Sequence, residues 1–212
     1  MQPLTEMALM RAPSGVFTRS EVAAWAGGSP DRHFGLLKRA LASGEIVRIH
    51  RGLYCLSPRH LAQPIDTLAL AQRVHGPSYV SLETALAEHG LIPEAVRAIT
   101  SVTLCRAREF DTPLGCFSFV RVPQRILYAG VQRVAGTGSG AYLLASPLKA
   151  LADYVYVHKR DWDSAKPLRS SLRIDEEDVA GLRASAFDEL LKNYPSRRIV
   201  RFLEGLREDV SR

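Results

Sequence analysis

Between residues 30 and 43 the apolar side chains Phe34, Leu37 and Leu41 follow the i, i+3, i+7 spacing of one helical stripe. At about 100° per residue, Arg32, Arg39 and Ser43 fall on the opposite side. Ser29-Pro30-Asp31 is a strong start signal: a capping hydroxyl, a proline whose missing N–H costs nothing at the first position, and an acid against the dipole. After Gly44 the period drops to two. In GEIVRIHRGLYCL, Val47 and Ile49 alternate with Arg48 and His50, and Gly52 can take the positive φ of a tight turn, so a hairpin is predicted over 45–56. Upstream, LTEMALMR predicts a short amphipathic helix ended by Ala-Pro-Ser-Gly. FTRSEVAAWA predicts a second, capped by Thr18 or Ser20 and stopped by Gly27-Gly28.

Two helices joined by a glycine turn, the second with a basic front, and then a hairpin with a basic tip are in the order of a winged helix-turn-helix. In that arrangement the helix from Pro30 enters the major groove and the hairpin reaches phosphates or the minor groove. The candidate DNA-contacting residues are therefore Arg32, His33, Lys38 and Arg39 on the helix, with Arg48, His50 and Arg51 on the wing. Any one of these cations is equally at home on a solvated face; their joint order is what selects DNA. Gly35 costs about 1 kcal/mol of helix stability relative to Ala and leaves room for a partner to approach the backbone.

Beyond residue 60, DTLALAQRVHG and SLETALAEHG predict two amphipathic helices, each closed by a glycine. Strand-like runs follow in AITSVTLC, GCFSFVRV, GVQRVAG and AYLLA, the first two separated by REFDTPLG and its turn. Ser146-Pro147 opens another helix with Leu148, Leu151, Ala152 and Val155 on one side. Further helices are predicted from about Asp175 and from Ser196. The fold class is α+β: a winged helix-turn-helix over residues 1–60 for DNA binding, then a larger mixed α+β domain over 61–212.

Charge sharpens this picture. The net charge is +6 over 212 residues. Residues 1–60 carry eight Lys+Arg against four Asp+Glu, whereas the remainder carries 20 against 18. A basic excess concentrated in the first quarter favours a polyanion. Without an apolar run of about 18 residues, nucleic acid is expected rather than a membrane, and the location expected is cytoplasmic. Cys55, Cys105 and Cys116, odd in number and widely spaced, read as buried free thiols.

No catalytic pattern emerges, so the chain is not expected to be an enzyme, and neither a cofactor nor a metal is expected. Gly136-Thr137-Gly138-Ser139-Gly140 lacks the Lys-Ser/Thr of a phosphate loop and reads as a hairpin turn. The six histidines lack metal-ligand spacing. Asp161 and Asp163 read as solvated loop charges, and Ser146 as a cap rather than a nucleophile.

RGLYCLSP (51–58), SLETAL (81–86), GLIPEAVRAITSVT (90–103), REFDTPLGCFSF (108–119) and ASPLKALADYVY (145–156) are signatures whose order and spacing carry a likeness. Together they resemble the AbiEi-like antitoxins of type IV toxin-antitoxin systems. The resemblance implies a winged helix that binds inverted repeats in double-stranded operator DNA and represses its own operon, with recognition helix 30–43 and wing 45–56. It further implies a remaining domain that neutralises a nucleotidyltransferase-like toxin encoded next door. Leu148 stands where the family commonly has an acid after Ser-Pro. Arg197 and Arg201, four apart on the last helix, are candidates for toxin contact. Two alternatives stay open: a stand-alone winged-helix transcription factor with a ligand-binding or dimerisation domain, and a DNA-targeted enzyme such as a nuclease. A nucleotidyltransferase reading frame immediately downstream would favour the antitoxin over the first, and a carboxylate cluster would mark the second.

Overall fold

The structure, a computed structural model, describes all residues except 94–96, 138–139, 183 and 212. The chain begins α1 (Pro3–Arg11), β1 (Val16–Thr18), α2 (Arg19–Ala26), α3 (Pro30–Ala42), β2 (Ile46–His50) and β3 (Leu53–Leu56). Three strands in the order β1-β3-β2 make an antiparallel sheet, with Val16 opposite Cys55 and Val47 opposite the same residue from the other side. The register slips between Arg48 and His50. This is the winged helix-turn-helix expected from residues 1–60, with one strand more than the sequence indicated. Val16-Phe17-Thr18 is too short for a period to be read in it.

Local chemistry sets the helix starts. Thr18 forms a capping box on α2: its hydroxyl accepts from the Glu21 amide at 3.1 Å while the Glu21 carboxylate accepts from the Thr18 amide at 2.6 Å. Burial raises the Glu21 carboxyl's pKa, but the Thr18 amide and hydroxyl and the Arg73 guanidinium together hold it below its ordinary value. Ser29 Oγ accepts from the Arg32 amide at 3.3 Å to start α3.

The rotation of α3 differs from expectation. Leu36, Leu37 and Ala40 are buried, while Phe34 is 61% exposed and Leu41 is half-buried. The inward stripe is thus turned by roughly 80° about the helix axis from the Phe34–Leu37–Leu41 line. A small core of Leu4, Ala8, Phe17, Val22, Leu56 and their neighbours sets that angle.

The larger part comprises α4 (Thr67–Val74), β4 (Ser78–Val80), α5 (Leu82–Glu88), β5 (Ala98–Thr103), β6 (Arg108–Thr112), β7 (Gly115–Arg121), β8 (Val131–Ala135) and β9 (Ala141–Ala145). It continues with α6 (Pro147–Val157), α7 (Lys166–Leu172), α8 (Glu176–Ala180), α9 (Ala184–Asn193) and α10 (Arg197–Val210). Among the described residues the strands form one mixed sheet in the order β6-β7-β5-β4-β9-β8. β4 runs parallel to β9 and β5 parallel to β7, while the edges are the hairpins β6–β7 and β8–β9. REFDT, expected as part of a turn region, is an edge strand, where one-sided pairing tolerates its polar face. In the expected glycine-rich turn the Gly136 amide bonds the Gly140 carbonyl at 2.9 Å, and Gly138 and Ser139 lie outside the described residues. Residues 94–96 of the Gly90–Thr103 signature lie outside them too.

The winged helix is not a separate bead on this sheet. Along β3, Tyr54 and Leu56 point into the small core, whereas Leu53 and Cys55 join Val16 and Ile49 in the large one. LYCL is therefore buried on both faces, which its unbroken apolar character reflects. Burial pushes the Cys55 thiol up to about 11. All three cysteines are free thiols as expected, but only Cys55 is buried, since Cys105 is half-buried and Cys116 exposed. Arg73 of α4 reaches Glu21 of α2 at 2.6 Å, and the His50 ring packs on Phe110 of β6 with centroids 5.3 Å apart.

α6 is buried on every side, from Leu148 through Val155. Its expected one-sided stripe was incomplete, because Lys149 and Asp153 are also fully enclosed. Ser146 caps it, accepting from the Lys149 amide at 3.4 Å. α10 crosses the 161–165 loop at Gly205, where a built Cβ would overlap the Asp163 carbonyl. Gly205→Ala should therefore destabilise the protein by about 1–3 kcal/mol in urea unfolding. That sign is opposite to the gain of about 1 kcal/mol that alanine brings to an open helix.

Candidate nucleic-acid interface

A groove of about 530 Å³ runs between α3 and the wing. Arg19, Phe34, Leu37, Lys38, Leu41 and Tyr54 line it with Arg48, Arg51 and Gly52. Four of these are cationic and none is acidic. Their positions follow from local structure. The Arg19 amide donates to the Gly52 carbonyl at 2.9 Å, which pins the start of α2 to the wing tip. Gly52 has φ +86°, the left-handed geometry that the corner needs. The Arg48 Nε donates to the His50 carbonyl at 3.4 Å, so its stem lies along the hairpin. Arg19, Lys38, Arg48 and Arg51 are all exposed.

The structure brings together three of the seven residues expected from sequence, Lys38, Arg48 and Arg51, and adds Arg19. Nothing in the sequence singled out Arg19, because its proximity to the wing depends on β1 pairing with β3. Arg32 and Arg39 are exposed on the flank of α3 away from the wing. Arg32 Cδ lies 3.2 Å from where a Gly28 Cβ would be, and Arg39 Nη1 lies 3.3 Å from the same position on Gly35. The space left by Gly35 is thus occupied by the chain's own guanidinium.

The two histidines serve the fold. His33 Nε2 lies 2.9 Å from the Gly27 carbonyl; a carbonyl only accepts, so this nitrogen carries the proton and ties α3 to the preceding turn. His50 Nδ1 donates to the Arg51 carbonyl at 3.0 Å, and its buried Nε2 has no hydrogen-bond partner among the described residues. With its ring on Phe110, His50 belongs to the junction with the large sheet rather than to the wing tip.

At the other end of the chain, Arg201 is exposed but paired with Asp161 at 2.7 Å, and Arg197 is exposed. Asp161 is therefore an ion-pair partner as well as a solvated charge. Among the described residues there is no group of three His, Cys, Asp or Glu that could hold a metal ion. No helix among them is long and apolar enough to cross a membrane.

No curated protein matches the chain. A family described as transcriptional regulator, AbiEi antitoxin, matches residues 8–57. That span starts within α1 and ends just after β3, so it covers the groove and all its cations. The first quarter of this chain, with its groove between α3 and the wing, is thus similar to the transcriptional regulators of the AbiEi antitoxin family.

Proposed function

We propose that this chain is an antitoxin that also represses its own operon by binding operator DNA through the α3–wing groove. The observation that carries the reading is the cluster of Arg19, Lys38, Arg48 and Arg51 around one groove without an acid, inside the segment similar to a transcriptional regulator. Such a cluster replaces counterions along a phosphate backbone while α3 lies in the major groove. The larger α+β part acts by binding, without catalysis, and takes up a nucleotidyltransferase-like toxin encoded beside it. Residues 1–60 and 61–212 carry these two roles.

Four residues of the winged helix, Val16, Ile49, Leu53 and Cys55, are buried in the large core. Cutting the chain near residue 64 would expose that face, so the roles are best separated by point substitution in the intact protein. Co-expression of the adjacent reading frame should arrest growth and the wild-type chain should restore it. Lys38→Glu/Arg48→Glu should restore growth equally well while losing repression of a reporter driven by the upstream promoter. Loss of rescue in that folded variant would sink the division of roles. Absence of toxicity from the neighbour would sink the antitoxin assignment and leave the repressor to be judged by the reporter alone.

A further inference from the structure

An isolated exposed aromatic is ordinary on a protein surface. Phe34 is not in an ordinary place. It is 61% exposed in the first half of α3 and lines the groove ringed by Arg19, Lys38, Arg48 and Arg51. One turn before it, on the same outward side, stands Asp31, and one turn after it stands Lys38. The small core already holds Leu36, Leu37 and Ala40 of this helix, so Phe34 contributes nothing to it. Leu37, Leu41 and Tyr54 line the same groove, but Phe34 stays 61% exposed above them, and its outward face meets a further apolar group only if the polyanion itself carries one at the depth α3 reaches.

Duplex DNA has one such group in the major groove, the C5-methyl of thymine, which projects beside the base edge where the first residues of a recognition helix lie. Resting on the reading of the groove as a DNA-binding surface, we infer that Phe34 is a specificity-determining residue that selects thymine by packing its ring against that methyl. The cations hold phosphates on either side and set the register, but phosphates are the same in every sequence. Phe34 supplies discrimination that Arg19, Lys38, Arg48 and Arg51 do not. Because Phe34 is 61% exposed and is not a member of either buried core, removing its ring should leave the fold intact.

The probe is a DNA duplex selected by the full-length protein from a pool randomised over about two helical turns. Each thymine is then replaced singly by deoxyuridine, which differs only by the methyl, and affinity is read by fluorescence anisotropy at one salt concentration. For the wild type, one thymine or one symmetry-related pair should lose about fourfold in affinity on demethylation, the worth of one buried methyl group. Phe34→Ala should bind the unmodified duplex at least about tenfold more weakly and be indifferent to uracil at that position. Phe34→Leu, still apolar, should keep the uracil sensitivity. A flat uracil scan with wild-type protein, or the same loss persisting in Phe34→Ala, overturns the inference while DNA binding stands. If no sequence is enriched and no duplex binds, the DNA reading itself fails and the inference goes with it. Equal melting temperatures of wild type and Phe34→Ala show that the comparison is one of folded proteins.

Discussion

Asp153→Ala should cost about 3–5 kcal/mol of stability, enough to leave most of an ordinary domain's margin gone. Asp153 is fully buried and anchors a closed circuit. Its Oδ2 accepts from the Tyr79 and Ser81 hydroxyls, each at 2.8 Å, and its Oδ1 accepts from the Tyr194 hydroxyl at 2.6 Å. Lys149, also fully buried, donates to Tyr194 at 3.2 Å and to Gln124 at 2.7 Å, and Gln124 donates back to Tyr79 at 3.0 Å. The Lys149 ammonium also lies over the Tyr79 and Tyr194 rings, at 4.8 and 5.0 Å from their centroids. Removing Asp153 strands three hydroxyls and a buried cation at once, which is the expensive way to break such a network. Lys149→Met/Asp153→Leu, which removes both charges, should cost less than Asp153→Ala alone. Urea unfolding of the three proteins checks both statements, and a melt of Asp153→Ala within error of wild type would show that the circuit carries no net stability.

The same network gives the fold an alkaline limit. Burial, and after it the Asp153 charge, raises the Tyr79 and Tyr194 phenols well above 10. The folded chain therefore keeps two protons that the unfolded chain releases, so their stabilisation is complete below about pH 10 and declines above it. Lys149 works in the other direction: burial lowers its pKa against the pull of Asp153 and Glu189, so in its window the unfolded state binds the extra proton and stability rises with pH. That window closes at the ordinary lysine value of 10.5, whereas the phenols continue to act above it. Stability should fall overall above about pH 10, and less steeply in Tyr79→Phe.

Arg48→Glu with Arg51→Glu should abolish DNA binding at physiological salt. Each arginine is exposed at the rim of the α3–wing groove, so each replacement removes one attraction and adds one repulsion next to a phosphate. With Gln in place of Glu, the slope of log affinity against log salt should flatten by about 0.9 for each phosphate that is no longer neutralised, and all sequences should weaken alike. A loss confined to the preferred sequence would make the wing a base reader. Arg32→Ala/Arg39→Ala, on the flank away from the wing, should have the smaller effect.

What neighbouring residues arrange among themselves was readable in the chain. Thr18, Ser29 and Ser146 cap the helices they announce, because the amides they satisfy lie three residues away. The hairpin corner, with Arg51 beside it, follows from Gly52, and the exposed position of Arg48 follows from the strand period of two; Lys38, four residues after Phe34, lies on that residue's side of α3 and faces outward only because the helix is rotated. Of the five signatures that carried the likeness, RGLYCLSP alone overlaps the match over residues 8–57; the other four lie beyond it. Periodicity failed where an element was three residues long, as in β1 and β4, or where an edge strand such as β6 had no apolar face to show.

Only tertiary packing decided the rest. The rotation of α3, which exposes Phe34 and moves Arg32 and Arg39 off the groove, is set by what Phe17, Val22 and Leu56 leave room for. His50 turns to Phe110, 60 positions along the chain, and Asp153 is bonded to Tyr79 across 74. In the sequence a lysine and an aspartate four apart on a helix read as a surface pair. They become a buried network because Gln124, Tyr79 and Tyr194 converge on them from three other segments. A side chain's propensity is a property of its neighbours in the chain, whereas its burial is a property of its neighbours in space.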